Sequence, residues 1–574
     1  MIKKRNSKKA QSLLQLVLFL GILVFVNILA NARLGGRAFY SSIDMTEENR
    51  FTLTPATKGL LKDLENTVFV RVLLDGEFPA GFKRLQSATQ EMLDDFRSES
   101  GLIEYEFMDP SAGTTEEVNA LRKELAKDNI VPVNLRLKDV DGTSEKLIYP
   151  YAIVTIKNKD VVINLLENEV PGVSPEVALN NSISLLEYKF ANAIQKANTL
   201  RKPALLFTSG HGELEPLETA DLEKNLRAFY ETGRINLDSV VAIGQNAAAL
   251  IVAKPRAPFS DKDKFKMDQY VMNGGKVLWL IDPVRMDLDS LRGREKYYPS
   301  EYDLNLDDLF FRYGFRLQSD LVLDIQCSRI PLATGYVGNA PQFDYFPYPY
   351  HLVVTTSSQH PVVKSLAATN LLYASSIDTS VQIKTGVEKT VLLHSSPNSR
   401  LQLLPVEMDF EFLRYDLDPS KFNKPSQPLA LLLEGQFPSL FENRVSSEML
   451  ASLEGLGMSF KSQSDPTRMI VVSDGDMAKN KVNMAAQSYS PLGFNEFEKH
   501  LFSNKDFIIN ALEYLIDYRG TIEARGKEVK LRLLDSVKAS EESAKWQTIN
   551  IVLPLVFLTA FGFIYNWVRR RRFA

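Results

Sequence analysis

The sequence has almost no cysteine. Cys327 is the only thiol among 574 residues, so no disulfide can form within the chain. This excludes the small secreted scaffolds that depend on disulfide crosslinks. Stability must come from packed cores, and 45% hydrophobic residues over this length are ample for several of them. We expect Cys327 itself to be a buried small hydrophobe.

The sequence also lacks the short motifs of common nucleotide-binding and hydrolytic sites. Gly274-Gly275-Lys276 is followed by Val277 and has no earlier glycine at the required spacing, so it is not a P-loop. Neither His-Glu-x-x-His nor Gly-x-Ser-x-Gly occurs. We therefore predict no catalytic residues, no resident metal and no cofactor, and expect any ATP to be hydrolysed by another subunit. The net charge of −4 gives no indication of a nucleic-acid partner.

Two long apolar runs lie near the ends of the chain. Residues 12–30 and 548–568 contain no charged side chain, and each has about the 20 residues that a helix needs to cross a bilayer. The basic tail 1–11 precedes the first run, and the basic tail 569–574 follows the second. Basic flanks of membrane spans stay in the cytoplasm. The pattern predicts two transmembrane helices, both termini in the cytoplasm, and the bulk of the chain outside it.

A cleavable signal peptide is the alternative for the first run. Lysines precede it, and Ala30-Asn31-Ala32 follows it as a small-residue cleavage site would. The run is longer than the apolar region of a typical signal peptide, which favours an uncleaved anchor. Neither predicted span contains the ionisable residues that ion pathways usually need.

Between the spans the pattern predicts mixed α/β structure in two domains. After a juxtamembrane lead at 31–61, residues 62–172 follow the order β-α-β-α-β-β, which resembles a thioredoxin-like domain. The Cys-x-x-Cys motif of redox-active members is missing, so we interpret this domain as a packing or docking module. Residues 173–200 have helical spacing and form a predicted linker.

The larger domain is predicted at 201–520. Buried strands alternate with helices there, which is typical of a doubly wound, largely parallel sheet of flavodoxin-like type, here with insertions. Residues 521–547 then return the chain to the membrane.

Polar residues follow several of the predicted buried strands in this larger domain. They are Ser209, Gly210, His211, Gly212 and Glu213 after the first strand, and Asp282, Asp474 and Asp476 after later strands. Because open α/β sheets bind ligands at the carboxyl ends of their strands, converging imidazole and carboxylate groups would suit a metal or acid–base chemistry. The simpler interpretation is that the glycines form a turn and the acids cap helices or bind turn amides.

A second candidate surface combines aromatic residues with proline. Phe343, Tyr345, Phe346, Tyr348 and Tyr350 fall in one short stretch with two prolines among them. The prolines predict neither a central strand nor a helix. Exposed aromatics favour protein interfaces, so this segment is either a partner-binding surface or a loop packed on its own domain.

The whole chain resembles a known family, the GldG-like auxiliary proteins of gliding-associated ABC transporters. The segments that carry the resemblance are DMTEENRFTLT (44–54), FTSGHGE (207–213), LIVAKPRAPFSDKDKFKMDQYVMNGGKVLWLIDP (250–283), YPYHLVVTTSSQHPVVKSL (348–366), IVVSDGDMAKN (470–480) and the two terminal spans. The resemblance implies an inner-membrane protein with a periplasmic region, acting with a permease and a separate ATPase. It implies no catalytic set, and only a structural or ligand-contact role for Ser209 to Glu213.

Three functions follow as hypotheses. The first is an accessory subunit of an ABC transporter that couples a permease and ATPase to a motility or secretion component of the envelope. The second is an envelope hydrolase or metal enzyme that uses His211 and the strand-end acids. The third is a structural anchor for motility or secretion machinery.

Overall fold

The computed structural model describes most of the chain between the two termini. The described residues are 13–26, 33–34, 37–38, 52–128, 130–139, 142–167, 175–199, 201–291, 294–356, 358–383, 386–455, 459–527 and 542–573. Residues up to Lys527 form one unit, and residues from Glu528 onward form a second. The tail 1–11, the cleavage-site candidate Ala30-Asn31-Ala32 and most of the lead 31–51 lie outside the described residues.

An apolar helix, α1 (Leu13–Val26), precedes the folded region in the sequence. Its leucine, valine and phenylalanine side chains are exposed, at more than half of their full accessible area. Two short strands, β1 (Arg33–Leu34) and β2 (Arg37–Ala38), follow it. The described part of α1 is shorter than the roughly 20 residues needed to cross a bilayer, so it supports a membrane segment only by its composition.

The first α/β region contains a four-stranded sheet. Its elements are α2 (Pro55–Lys62), β3 (Val68–Val72), α3 (Ala80–Glu99), β4 (Ile103–Phe107), α4 (Thr115–Lys127), β5 (Val133–Asp139), β6 (Gly142–Ile148), β7 (Tyr151–Ile156) and β8 (Lys159–Asn164). The sheet order is β4-β3-β7-β8, with β4 parallel and β7 antiparallel to β3, while β5 and β6 form a separate hairpin. Thr54 caps α2 and Thr114 caps α4, as their position before each helix predicts.

The predicted linker is two helices, α5 (Pro175–Ser184) and α6 (Leu186–Asn198). Helix α6 is largely buried, because one side packs into the core of the first sheet through residues such as Phe190 and Ile194. Its other side meets the larger α/β region. Tyr188 donates a hydrogen bond to the buried carboxylate of Glu513, and Lys196 Nζ lies 2.5 Å from Oε1 of the same residue.

The larger region is built on a seven-stranded sheet. Its leading elements are β9 (Ala204–Ser209), α7 (Ala220–Arg227), β10 (Glu231–Asn236), β11 (Ala247–Ala253), α8 (Asp261–Met272) and β12 (Val277–Leu280). A long insertion follows, and the sheet is completed by β21 (Glu388–His394), β23 (Pro428–Gly435) and β24 (Thr467–Val472). The order is β10-β9-β11-β12-β24-β23-β21, in which β23 pairs antiparallel with both of its neighbours and the other six strands run in one direction.

Continuous apolar sequence explains why the central strands lie where they do. Six of the seven residues of β11, and all four of β12, are buried, as expected for strands covered on both faces. Strand β10 is different. Helix α7 ends at Arg227, and the polar segment ETGRIN (Glu231–Asn236) is an edge strand. The polar sequence of β10 does not predict a strand, and the strand is stabilised by its pairing with β9.

The insertion between β12 and β24 contributes shorter strands. They are β13 (Val284–Arg285), β14 (Ser300–Glu301), β15 (Arg316–Leu317), β16 (Asp320–Asp324), β17 (Cys327–Val337), β18 (Ala340–Val354), β19 (Thr369–Leu372), β20 (Ile377–Asp378) and β22 (Ser399–Leu403), with helix α9 (Asp307–Tyr313) among them. Cys327 begins β17 and is half-buried rather than fully buried, and burial raises the pKa of its thiol to about 12.

The aromatic segment is a strand rather than a loop, but over residues 343–349 it is not a central strand, as its prolines predict. Strands β17 and β18 form a long antiparallel hairpin that includes the prolines. Proline is tolerated because β18 pairs only with β17 before Tyr350, whereas the carbonyl of Tyr350 accepts from the amide of Tyr373 and the pairing with β19 begins at His351. Over residues 343–349 the strand therefore has no paired strand on its other side within the described part of the chain.

The C-terminal part of the first unit closes the larger core. Its elements are α10 (Ser447–Glu454), β25 (Val482–Asn483), β26 (Ser488–Tyr489), β27 (Phe494–Asn495), β28 (His500–Leu501) and α11 (Asn504–Ile516). Phe507, Ile508 and Leu512 of α11 are buried against the sheet.

The second unit contains the helix α12 (Ser543–Phe573). Its segment Ser543–Arg571 has a mean hydropathy of 2.0 and is long enough to cross a membrane. Among the described residues, α12 is the one helix that meets this criterion. It includes Pro554.

Candidate functional site

The turn after β9 is formed by the glycines that the sequence singled out. Ser209 is the last residue of β9, and Gly210 and Gly212 have φ angles of +114° and +72°. A β-carbon on Gly210 would lie 2.9 Å from Oδ1 of Asn236, so both backbone conformation and space require glycine there. The turn lies at a topological switch point, because the chain leaves β9 for β10 on one side and enters β11 on the other.

His211 is enclosed by two carboxylates and an aromatic ring. Its side chain is 4% exposed. Nδ1 lies 3.6 Å from Oε1 of Glu213, and Nε2 lies 3.4 Å from Oδ2 of Asp263 at the start of α8. The imidazole stacks on Phe259, with 3.8 Å between ring centroids and 8° between ring planes. These three contacts hold the imidazole ring in one orientation.

The charges around His211 favour the imidazolium form. Burial alone would lower the pKa of His211, but the carboxylates of Glu213 and Asp263 outweigh it and raise the pKa. Burial opposes ionisation of the acids too, yet the contacts of Glu213 with His211 and of Asp263 with Lys266 and Ser260 lower both carboxyl pKa values. Lys266 Nζ lies 2.9 Å from Oδ1 of Asp263. Together they form a buried, charge-balanced network.

Removing the imidazole should change how stability depends on pH. The pKa of His211 is raised on folding, so its contribution is fully present below the unfolded value of about 6.5 and is lost as pH rises through the folded value. We expect His211→Gln to cost about 1–3 kcal/mol near pH 6 and less at pH 8. Urea unfolding of the full chain at a series of pH values measures this. An unchanged pH slope in the variant would contradict the imidazolium network.

A second cluster is centred on a lysine that the sequence analysis missed. Lys254 directly follows β11, and its Nζ lies 2.8 Å from Oδ2 of Asp282 and 2.5 Å from Oδ2 of Asp476. Its side chain is 5% exposed, and its φ is +52°. The turn of Gly475 packs on it so closely that a β-carbon there would lie 2.7 Å from Cβ of Lys254.

The three strand-end aspartates do converge, but each has its own function in the cluster. Asp282 accepts a hydrogen bond from the Gly475 amide. Asp474 accepts from the amides of Leu372 and Asp476, each at 2.8 Å. The cluster therefore ties the ends of β11, β12 and β24 together, and connects them to β19 in the insertion.

The electrostatics of the cluster follow from burial and from the single ammonium group. Burial would lower the pKa of Lys254, but Asp282 and Asp476 outweigh it and raise the pKa far above the usual range. Burial, together with repulsion from Asp282 and Asp476, raises the pKa of Asp474 well above its usual value. Despite its burial, Asp476 has a lowered pKa because of Lys254 and Lys479.

His211 and the strand-end aspartates form two clusters rather than one. The carboxylates next to the imidazole belong to Glu213 and Asp263. The aspartates around Lys254 are not in contact with it. The segment after β11 joins the two, because the amide of Arg256 donates to the carbonyl of His211 at 2.7 Å. Within the described residues, no three His, Cys, Asp or Glu side chains are arranged to hold a metal ion, and the Lys254 ammonium stands where a cation would.

Both missed residues had a sequence signal. Lys254 follows the buried run ALIVA just as Asp282 follows VLWLI, so it belongs to the same edge of the sheet. Asp263 stands three residues after Ser260, which is the spacing of a helix cap, and Ser260 does cap α8.

The predicted interface aromatics divide into two groups. Phe343 and Tyr345 are 53% and 51% exposed, and Phe346 is half-buried. Tyr348 and Tyr350 are buried in the core of the insertion, where their rings pack at 5.3 Å. The outer part of the hairpin is thus an accessible surface, and the inner part anchors it.

Comparisons with known proteins give two family matches, one sequence relative and one solved structure of low similarity. The family described as "ABC-type uncharacterized transport system" matches residues 202–511, which is more than half of the chain. A domain of unknown function matches residues 47–155. An "Uncharacterized protein" of Borreliella burgdorferi is 22% identical over 427 residues, covering 73% of this chain and 77% of its own length. A solved "mmIFT52 N-terminal domain" is 12% identical with a TM-score of 0.29, covering 54% of this chain and 96% of its own.

Proposed function

We propose, on the premise that this chain belongs to the family described as an ABC-type uncharacterized transport system, that it is a membrane-anchored accessory subunit of an ABC transporter. The observation that carries the proposal is the family match over residues 202–511, the part of the chain that forms the larger sheet and its insertion. The apolar helix α12 supports a membrane association. The chain itself has no P-loop, so a separate ATPase subunit would hydrolyse ATP.

The finer part of the proposal concerns topology and partners. We propose that residues 12–30 and 548–568 both cross the bacterial inner membrane and contact a permease, with the bulk of the chain in the periplasm. The basic flanks of both runs support this orientation. The resemblance to GldG-like proteins extends the proposal to envelope partners in gliding motility or secretion.

We propose a non-catalytic role for the two α/β regions. The order β4-β3-β7-β8 supports a thioredoxin-like docking module, and the order β10-β9-β11-β12-β24 supports a flavodoxin-like domain. The engagement of Asp282 and Asp476 by Lys254 supports a structural use of the strand-end acids. A coupling subunit needs such rigid regions to transmit a conformational change without dissipating it.

Co-purification tests the accessory role. The full-length chain, tagged and extracted from its own bacterium in a mild detergent, should retain a polytopic permease and an ATP-binding subunit, identified by mass spectrometry. Replacing residues 548–568 by an unrelated apolar helix of equal length should keep the chain in the membrane but reduce recovery of the permease. Recovery of the folded chain alone from every mild detergent tried would contradict the proposal.

The hairpin gives the second arm of this experiment. We propose that Phe343 and Tyr345 contact an envelope partner, so that changing both to serine lowers recovery of that partner while the permease remains. Because both side chains are more than half exposed, the substitution should change stability by less than about 0.5 kcal/mol. Tyr415→Ser, at a position 76% exposed, is the matched control. An unchanged set of partners in the double variant would remove this contact from the proposal.

A further inference from the structure

A cleft of about 290 Å³ lies beside the carboxyl end of β24. Asp476 and Lys479 line it from the segment after that strand, and His351 of β18 and Tyr373 line it from the insertion. Its volume is near the lower end of the range found for small-molecule sites. The cleft therefore lies between the carboxyl ends of the sheet strands and the insertion. Ligands bind at the carboxyl ends of the strands in open α/β folds.

Two buried polar atoms at this cleft, one on His351 and one on Asp476, have no hydrogen-bond partner among the described residues. His351 is 5% exposed and its Nε2 is unpaired, with its ring held edge-on to Tyr348 and Tyr373 at 4.8 and 5.2 Å. The side chain of Asp476 is 9% exposed. Its Oδ2 binds Lys254, but its Oδ1 accepts no hydrogen bond. Buried polar atoms are almost always satisfied, so two unsatisfied groups on one cleft require a reason.

The charges of the cleft indicate which kind of ligand would satisfy them. Four carboxylates line it, and two lysines oppose them: Asp287, Asp289, Asp476 and Glu496 against Lys479 and Lys481. Beneath the floor, Lys254 is shared between Asp476 and Asp282, so it does not reverse this excess. An anion would meet a net negative wall, whereas a cation would be attracted.

Lys479 is a second cation close to the unsatisfied carboxylate oxygen, and it makes no hydrogen bond to it. Its Nζ lies 3.7 Å from Oδ1 of Asp476 and 3.8 Å from Oε1 of Glu218, both too far for a hydrogen bond. The side chain is 31% exposed. A ligand cation can therefore take the Asp476 oxygen while Lys479 moves toward Glu218.

We propose that this cleft binds a small organic ammonium compound, with an N–H group donating to Oδ1 of Asp476 and a second donor of the ligand reaching the imidazole of His351. This site does not depend on the accessory role proposed above. Tyr373, Phe494 and Phe497 also line the cleft, and aromatic rings suit a cation. Burial lowers the pKa of His351 to about 3, so at neutral pH the ring is uncharged and one of its nitrogens can accept a hydrogen bond.

Calorimetric titration of the full-length chain in detergent tests the site. The probes are ethanolamine and 1,4-diaminobutane as amines, acetate as an anion and glycerol as a neutral compound. We expect the two amines to bind, with Kd between about 1 mM and 1 µM, and acetate and glycerol not to bind. Binding of acetate or glycerol with equal affinity, or no heat from either amine up to about 10 mM, would overturn the proposal.

Three substitutions separate this ligand chemistry from its alternatives. Asp476→Asn should weaken amine binding by about tenfold or more, because it removes the charged acceptor. Asp282→Asn is the matched control, since it removes the other partner of Lys254 but is not part of the cleft lining. Lys479→Met should tighten binding several-fold, because it removes the competing cation.

Lys479→Met also keeps the proposal falsifiable if Asp476→Asn fails to fold. The lysine is partly exposed and only loosely paired, so its replacement should leave the fold intact. Weaker amine binding in this variant would point instead to an anionic or zwitterionic ligand held by Lys479. Amine binding that persists unchanged in a folded Asp476→Asn variant would overturn the site as described.

Discussion

Replacing Lys254 by methionine should destabilise the protein by about 3–5 kcal/mol, the largest effect that we expect from any single substitution here. The side chain is 5% exposed, so methionine fills a similar volume without the charge. Asp282 would then be buried next to Asp474 without its cation, and Asp476 would keep only the 3.7 Å contact with the partly exposed Lys479. Urea unfolding of the full-length chain, followed by tryptophan fluorescence, measures the loss, because Trp279 is buried in the same sheet.

The matched control is Lys479→Met. Both lysines contact Asp476, but Lys479 is 31% exposed and lies 3.7 Å from it, so its replacement should cost less than about 1 kcal/mol. The double variant Lys254→Met with Asp282→Asn should regain part of the loss, since it removes one of the uncompensated charges. Nearly equal destabilisation by the two lysine substitutions would show that Lys254 does not hold the strand ends together.

The position of the acids after buried strands was predictable, but their convergence and the group that binds them were not. Parallel strands end at the same side of a sheet, yet Asp282, Asp474 and Asp476 come close only because β12 and β24 are neighbours in the sheet, which the sequence does not show. Lysine is almost never fully buried, and Lys254 therefore looked like an ordinary solvated residue after a strand. Its burial depends on two carboxylates that are distant in the sequence, which no local pattern contains.

The elements that sequence patterns missed are those stabilised by pairing rather than by their own composition. Strand β10 is a polar edge strand, and β18 contains prolines, so neither has an alternating apolar pattern. In contrast, the buried strands β11 and β12 are continuous apolar runs, and Ser260 caps the helix α8 at its start. Continuous apolar runs and helix caps can be seen in the sequence of the element itself. The pairing of an edge strand depends on the strand next to it, which its own sequence does not contain.

Replacing Glu187 by alanine should release the segments at Thr54 and at Lys527. The first follows the N-terminal apolar run in the sequence, and the second precedes the C-terminal one. Glu187 lies in the first turn of α6, and its side chain is 1% exposed. Its carboxylate accepts from the Thr54 amide at 2.6 Å and from Lys527 Nζ at 2.8 Å. Lys527 also donates to the carbonyl of Thr52 at 2.6 Å. The segment at Thr52 and Thr54 and the C-terminal end of the first unit are therefore held at one buried carboxylate.

We expect Glu187→Ala to cost about 3 kcal/mol, because it leaves an amide and an ammonium group without their charged acceptor. Hydrogen exchange at Thr54 should accelerate, and trypsin should cleave after Lys527 faster. Glu187→Gln keeps an oxygen for the Thr54 amide but not the charge, so it should expose Lys527 to trypsin with less effect on Thr54.

Asp63→Asn is the control for Glu187→Ala. It breaks the 2.7 Å ion pair between Asp63 and Arg519, which also connects the two ends of the first unit, but Asp63 is 60% exposed. That loss should stay within about 1 kcal/mol. If the family role is to couple a membrane permease to the outer domains, force from either apolar run must pass through the segments at Thr54 and Lys527. Unchanged exchange and cleavage in Glu187→Ala would mean that other contacts hold these segments, and that Glu187 is not the point at which they are joined.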